Sequence, residues 1–304
     1  MKAESKKLLV VIAGPTAVGK TSFAIELAQH LNTEIISCDS RQFYKELSIG
    51  TAKPSADELC SVAHHFIGNL SIHDNYNVSA YENDVLKKLD ELFKKHDTVV
   101  MVGGSGLYID AVCYGIDDFP NIDEDLRNKL KLDLKEKGIS HLISVLKDLD
   151  PEYYDIVDKQ NPNRIMRAIE VCLMTGKKYS EQRKNSLKNR PFKILKFALN
   201  RDRAELFERI GLRVDQMLNE GLVNEVKSFE THKELNSLNT VGYKEIFKYL
   251  NTEYSLELAI EKIKTNTRRY AKRQLTWLKR DGQYKRIKTN DLEMVIGEIK
   301  NYFL

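Results

Sequence analysis

Gly14-Pro15-Thr16-Ala17-Val18-Gly19-Lys20-Thr21 satisfies every fixed position of the phosphate-loop pattern G-x-x-x-x-G-K-[ST]. Glycines let such a loop close its backbone around an anion, and a helix starting there aims its first N–H groups and its dipole inward. In this pattern Lys20 reaches the terminal phosphate and Thr21 holds Mg2+. The chemistry is a grip on a di- or triphosphate, and the loop alone leaves open which. A carboxylate follows at Asp39, within Ser37-Cys38-Asp39-Ser40-Arg41-Gln42-Phe43-Tyr44. It can ligate Mg2+ through water, take a proton, or serve only as a turn or cap residue. The segment runs on to Ile49-Gly50-Thr51-Ala52-Lys53-Pro54. So dense a mix of polar and turn residues makes a poor core and suits a base-binding surface.

Further charges are spaced for anions. Arg201, Arg203, Arg209 and Arg213 gather around one helix start. Arg209 and Arg213 share a face at i, i+4, where two guanidinia can clamp a diphosphate or simply face solvent. Asn163-Arg164-Ile165-Met166-Arg167 opens another helix, and a cation in a first turn opposes the dipole and invites a phosphate. Tyr270-Ala271-Lys272-Arg273-Gln274-Leu275-Thr276-Trp277-Leu278-Lys279 interleaves aromatics with bases. Its cations attract phosphates, and Trp277 either stacks on a base or packs internally. One omission also counts. A nucleoside triphosphatase usually carries a Mg2+-binding Asp after the strand that here ends in Gly103-Gly104-Ser105-Gly106. These glycines weaken the ATPase reading and suggest a close backbone approach to a ligand.

The elements that would position these groups alternate as in a parallel α/β sheet. Leu8 to Ala13 reads as a buried strand, Lys20 to Leu31 as a helix, and Glu34 to Cys38 as a second strand. Asp39 then falls at a strand's carboxyl end, where open α/β sheets bind ligands. Ser79-Ala80-Tyr81-Glu82 reads as a capping box for a helix to about Lys95. Thr98 to Val102 and Lys193 to Leu199 read as strands. From about Asp123 to Arg190 the chain is highly charged and helical by period, with stops at Gly138 and Gly176 and breaks at Asp150-Pro151 and Asn161-Pro162. Asp202-Arg203-Ala204-Glu205 is a second capping box, and Ser255 to about Lys279 reads as one long helix. The expected fold is α/β: a P-loop kinase-like parallel sheet core over 1–120 and 191–304, with a helical C-terminal part, and an all-helical insertion over 121–190.

Composition bounds the class. At 304 residues with 42% hydrophobic and 30% charged residues, the chain has the make-up of a globular protein with a large core. No apolar run nears the roughly 20 residues that span a bilayer, and the start of the chain lacks a signal-peptide core. The expectation is a cytoplasmic protein with no membrane partner. Cys38, Cys60, Cys113 and Cys172 form no C-x-x-C pair and read as free, buried thiols. Net charge is +4, yet residues 262–288 carry eleven Lys or Arg against one acid, Asp281. Such density suits a polyanion, or a solvated helix face.

Taken together, these motifs resemble the tRNA dimethylallyltransferases, also called tRNA isopentenyltransferases. The resemblance rests on the phosphate loop, Asp39 to Tyr44, Ile49 to Pro54, Val102-Gly103-Gly104-Ser105-Gly106-Leu107-Tyr108, Asn163 to Glu170, Val241-Gly242-Tyr243 and Ala271 to Trp277. It covers almost the whole chain. It implies transfer of a dimethylallyl group from dimethylallyl diphosphate to N6 of adenosine 37, in tRNAs reading codons that begin with U, with Mg2+. It further implies a channel through the core, entered by the adenine from one end and the diphosphate from the other, and an insertion that grips the anticodon stem-loop. By motif position, Asp39 holds the adenine amine and is the proposed base. Thr16, Lys20, Thr21 and Arg213 bind diphosphate or its metal. Implied tRNA contacts are Asp39, Ser40, Arg41, Gln42, Ser105, Arg127, Asn163, Arg164, Ile165, Met166, Arg167, Val241, Gly242, Tyr243, Lys272, Arg273, Gln274 and Trp277. Position 105 is often Thr in the family and is Ser here, which keeps the hydroxyl. The chain ends at Leu304 without the C-terminal zinc finger of eukaryotic members, so a bacterial-type enzyme is expected, and separately a monomer.

Three other readings stand beside this one. An adenylate isopentenyltransferase would act on free AMP and need no anticodon grip. A small-molecule kinase would use the phosphate loop for ATP. A non-catalytic RNA-binding protein would leave the loop and Asp39 without a task.

Overall fold

Leu8–Ala13 (β1) is a run of six apolar residues buried on both faces, which is what the centre of a parallel sheet requires. The structure is a computed structural model and describes residues 6–117, 119–121, 123–184 and 187–304. The first five residues, part of the segment expected to lack a signal-peptide core, lie outside these. After β1 come Lys20–His30 (α1), Ile35–Ser37 (β2), Ala56–Ser61 (α2), His64–His65 (β3), Val78–Leu92 (α3), Thr98–Gly103 (β4) and Gly106–Tyr114 (α4). Five helices follow: Glu124–Lys137 (α5), Ile139–Leu149 (α6), Pro151–Ile156 (α7), Pro162–Thr175 (α8) and Tyr179–Gln182 (α9). The chain then returns through Lys193–Leu199 (β5), Arg203–Asn219 (α10), Leu222–Lys227 (α11), Tyr243–Leu250 (α12), Leu256–Leu278 (α13), Tyr284–Ile287 (β6) and Leu292–Phe303 (α14).

The six strands lie in the order β3-β2-β4-β1-β5-β6, all parallel. Register sets Ala13 beside Gly103 and Ser37 beside Val102. The loops leaving β1, β4 and β2 therefore emerge side by side at the carboxyl edge of the sheet. Two cores flank that edge. One joins β1 and β5 to α1, α10 and α14 through residues such as Phe23, Leu27, Phe197 and Ile296. The other packs Tyr44, Leu47 and Ile72 against Val214, Tyr243, Ile246 and Ile263.

Residues 1–113 and 190–304 form one compact unit, and 114–189 form a second. The second is built from α5 to α9 around Leu142, Leu146, Ile165, Met166 and Ile169. Gly138 and Gly176 end α5 and α8. The Asp-Pro and Asn-Pro steps are helix starts as much as breaks. Asp150 accepts from the Tyr153 N–H at 2.9 Å and Asn161 from the Arg164 N–H at 3.2 Å, each with Pro at the first helical position.

Several boundaries differ from expectation for local reasons. α3 is capped by Asn77, which accepts from the Ala80 N–H at 2.9 Å, and it ends at Leu92. Ser79 cannot close a box, because Glu82 is buried and takes the Arg190 guanidinium at 2.7 Å. Asp202 caps α10 through the Ala204 N–H at 2.8 Å, while Glu205 turns to an ion pair with Arg201. Cys60 is exposed; the other three thiols are buried and free.

Candidate active site

The phosphate loop closes through two left-handed residues, Ala17 (φ 63°) and Gly19 (φ 105°). Gly19 adopts this without strain, whereas Ala17 must be held there. Two arginines hold it. Arg201 Nε donates to the Val18 carbonyl at 2.8 Å and Arg209 Nε to the Ala17 carbonyl at 2.8 Å. Half of the expected arginine cluster thus braces the loop from outside, and Arg209 spends its Nε on backbone instead of being free to clamp a ligand. Lys20 Nζ donates to the Pro15 carbonyl at 2.7 Å. Burial pushes the Lys20 ammonium down to about 8; Asp39 pulls it back up and Arg213 pushes it further down. Burial likewise lowers Arg213, with Asp39 opposing. Two cations and one carboxylate thus feel one another in an interior where charge is costly.

Asp39 and Arg213 face a cavity of about 320 Å³, with Thr16, Thr51 and Tyr270 also on its wall. Its apolar lining includes Ile210, Val214 and Ile263. The Asp39 turn is fixed locally: Asp39 Oδ1 accepts from the Arg41 N–H at 3.0 Å, and Ser105 Oγ accepts from the Ser40 N–H at 3.2 Å. Arg41 does not reach outward. Its guanidinium donates to the carbonyls of Asn236, Ser237 and Asn239 at 2.9, 3.2 and 3.3 Å. Gln42 Nε2 donates to the carbonyls of Thr51 and Ala52 at 3.1 and 3.0 Å. Arg41 forms part of the cavity wall, Gln42 braces the turn that supplies Thr51 to it, and Ser40 is the smaller group on its surface.

The glycines after β4 admit protein rather than ligand. A Cβ on Gly103 would strike Cys38, one on Gly104 would strike Gln274, and one on Gly106 would strike the Trp277 ring. Gln274 is buried; it accepts from the Thr16 N–H at 2.8 Å and donates to the Gly104 carbonyl at 2.9 Å. Trp277 Nε1 donates to Asp110 at 3.1 Å. Gln274 and Trp277, expected as tRNA contacts, here join α13 to the phosphate loop and to α4, Gln274 buried and Trp277 half-buried. Lys272 and Arg273 on the same helix are exposed, and Arg273 reaches the cavity wall. Val241 and Gly242 line the cavity, but Tyr243 is fully buried with its hydroxyl on Glu225 at 2.6 Å.

In the 114–189 unit, Asn163 and Arg164 are exposed. Ile165 and Met166 belong to the unit's core, so burial removes their side chains from any RNA contact. Arg127 forms a forked pair with the fully buried Glu170, and Arg167 donates to the Pro120 carbonyl at 2.9 Å beside the same carboxylate. Both arginines neutralise Glu170, which fixes their guanidinia inside the unit.

Among the described residues no group of three or more His, Cys, Asp or Glu is arranged to hold a metal ion. Mg2+ commonly takes one or two protein donors and fills its shell with water and substrate phosphate oxygens. Thr21 in the first turn of α1 and the Asp39 carboxylate have the donor chemistry for such a sparse set.

Sequence reasoning missed Glu225, whose carboxylate ties the Ser48–Gly50 backbone to Tyr243. Its backbone partners lie 175 to 177 positions away and Tyr243 lies 18 away, so no local pattern could reveal them.

The model of the IPP transferase family matches residues 42–281. The tRNA dimethylallyltransferase 1 of Bacteroides fragilis is 53% identical over 275 residues, covering 90% of this chain and 91% of that one. The solved tRNA isopentenylpyrophosphate transferase of Bacillus halodurans is similar with a TM-score of 0.70 and 35% identity, over 98% of this chain and 96% of that one. A eukaryotic dimethylallyltransferase acting on tRNA is similar with a TM-score of 0.78 and 27% identity, over 95% and 75%.

Proposed function

Because the chain belongs to the IPP transferase family, we propose that it transfers a dimethylallyl group from dimethylallyl diphosphate to N6 of adenosine 37. The acceptor is a tRNA that reads codons beginning with U, and diphosphate is released. One observation carries this reading: Asp39 and Arg213 share one cavity with apolar walls, and Lys20 is electrostatically coupled to both.

An allylic diphosphate ionises readily, because the developing cation is delocalised. Its barrier falls as the leaving group's charge is met by preorganised donors. Lys20, Arg213 and the N–H groups at the start of α1 would hold the diphosphate while its C1–O bond breaks. When bound, Mg2+ would offset further charge on the leaving oxygens. The adenine amine attacks C1, the N6–C1 bond forms, and Asp39 takes the proton that N6 loses. Ile210, Val214 and Ile263 keep water from the allylic cation. The base must leave the anticodon stack to reach this depth. The exposed Lys272, Arg273, Asn163 and Arg164 supply cations and donors for the RNA. The reading places the reaction in the cytoplasm, with one chain as the working unit.

The test uses purified protein, Mg2+ and radiolabelled dimethylallyl diphosphate with an anticodon stem-loop carrying adenosines 36 to 38. Label should enter the stem-loop and vanish when guanosine replaces adenosine 37. Label in AMP alone would overturn the tRNA assignment.

A further inference from the structure

Glu225 spends its whole carboxylate on a turn that belongs to the cavity. One oxygen accepts from the Ser48 and Ile49 N–H groups at 3.1 and 2.7 Å. The other accepts from the Gly50 N–H at 2.9 Å and from the Tyr243 hydroxyl at 2.6 Å. Three consecutive amides aimed at one point form an anion-binding concavity, and here the anion is the protein's own. The turn is closed by the Ala52 N–H on the Ile49 carbonyl at 2.9 Å and the Lys53 N–H on the Ser48 carbonyl at 3.2 Å. Ala52 sits at φ 47°, a left-handed conformation that a residue with a Cβ adopts only where its surroundings over-determine it. The Glu225 carboxylate supplies that constraint. On the other side, Gly50 lies so close to Tyr243 that a Cβ would run into the ring.

The turn's carbonyls point to the site. Ala52 O receives Gln42 Nε2 at 3.0 Å and Arg213 Nη2 at 3.4 Å, and Gly50 and Thr51 line the cavity itself. We infer that Glu225 is a positioning residue for the diphosphate end of the site, acting through the 48–52 turn to hold Arg213 in place. The inference rests on the reading of this cavity as a diphosphate site. Glu225 lies in α11 and is not on the cavity wall. A Gln there keeps the size but offers one acceptor, and its amide would turn N–H donors toward N–H donors.

The experiment measures the Kd of inorganic diphosphate with Mg2+ by titration calorimetry, so it does not depend on the acceptor. Glu225→Gln should raise Kd about tenfold, a factor that corresponds to about 1.4 kcal/mol. In an Arg213→Ala background the same change should add nothing, because its effect passes through Arg213. A purely structural role would lower thermal stability and leave this non-additivity absent. Equal fold-changes in both backgrounds, or an unchanged Kd, would overturn the inference. Should Glu225→Gln not fold, Tyr243→Phe keeps the ring, removes one donor, and should give a smaller rise that again needs Arg213. A wild-type protein that does not bind diphosphate would refute the reading of the site, and the inference with it.

Discussion

In the proposed reaction Asp39 and Lys20 divide the work of the site by opposite charge, and each makes a prediction. Asp39→Asn keeps an acceptor for the adenine amine but cannot take its proton. It should lower kcat by about 10²-fold or more while KM for the stem-loop moves little. A raised KM at unchanged kcat would instead make Asp39 an orienting acceptor. Lys20, pushed by burial to about 8, is charged below that pH and neutral above it. A bound diphosphate favours the charged form and so raises its pKa. Affinity for dimethylallyl diphosphate should therefore be full below about pH 8 and fall as pH rises beyond it. Calorimetry at pH 8.5 in buffers of different ionisation enthalpy should detect proton uptake, about half a proton or more per site. At this scale the sequence was most legible where a motif fixes chemistry and backbone together, as at Gly14 to Thr21. It was least legible where a residue expected to contact the ligand makes an internal tie. Arg41, Arg127, Gln274 and Trp277 have the right types for RNA, yet each is committed to a carbonyl, amide or carboxylate elsewhere in the chain.

Helix α13 joins the site's parts more than any other element. Its buried Gln274 links the phosphate loop to the loop after β4, and its exposed face carries Lys272 and Arg273. Gln274→Leu would strand the half-buried Thr16 N–H without its side-chain partner. The expected cost is about 1–3 kcal/mol in chemical denaturation, with weaker diphosphate binding alongside. Wild-type values for both would mean that the loop holds its shape without this joint. The ends of α13 could be read from Ser255 and the charge pattern, since capping is local. Which residues of it face inward could not, because that depends on glycines at 104 and 106, far off in sequence. The strands were legible for the converse reason. A strand buried on both faces is apolar throughout, and Leu8–Ala13 falls where that pattern puts it; Lys193–Leu199 is buried only over its last four residues and carries Lys196, which pairs with Asp281.

At the scale of the whole molecule, the sequence suggested two units through the charge-rich, helical run from about Asp123 to Arg190, and the structure sets the second unit at 114–189. The junction explains why the division is sharp. Arg190 donates to the carbonyls of Val112 and Ala111 at 2.8 and 2.6 Å, and the Lys188 N–H donates to the Tyr114 carbonyl at 2.7 Å. The chain thus leaves the sheet unit and re-enters it at neighbouring points. Replacing residues 115–188 with a short Gly-Ser linker should leave the remaining unit folded, with a cooperative melt and diphosphate affinity within about threefold of wild type. Stem-loop prenylation should be lost. Loss of the cooperative melt would show that the sheet unit needs the helical one to fold. Closing a loop costs only about 0.6 kcal/mol more each time its length doubles. With both ends stapled together, what lies between them is nearly invisible to the core, and the helical segment is a cassette. Lineages could lengthen, shorten or restyle it to suit their RNAs while the sheet unit stayed untouched.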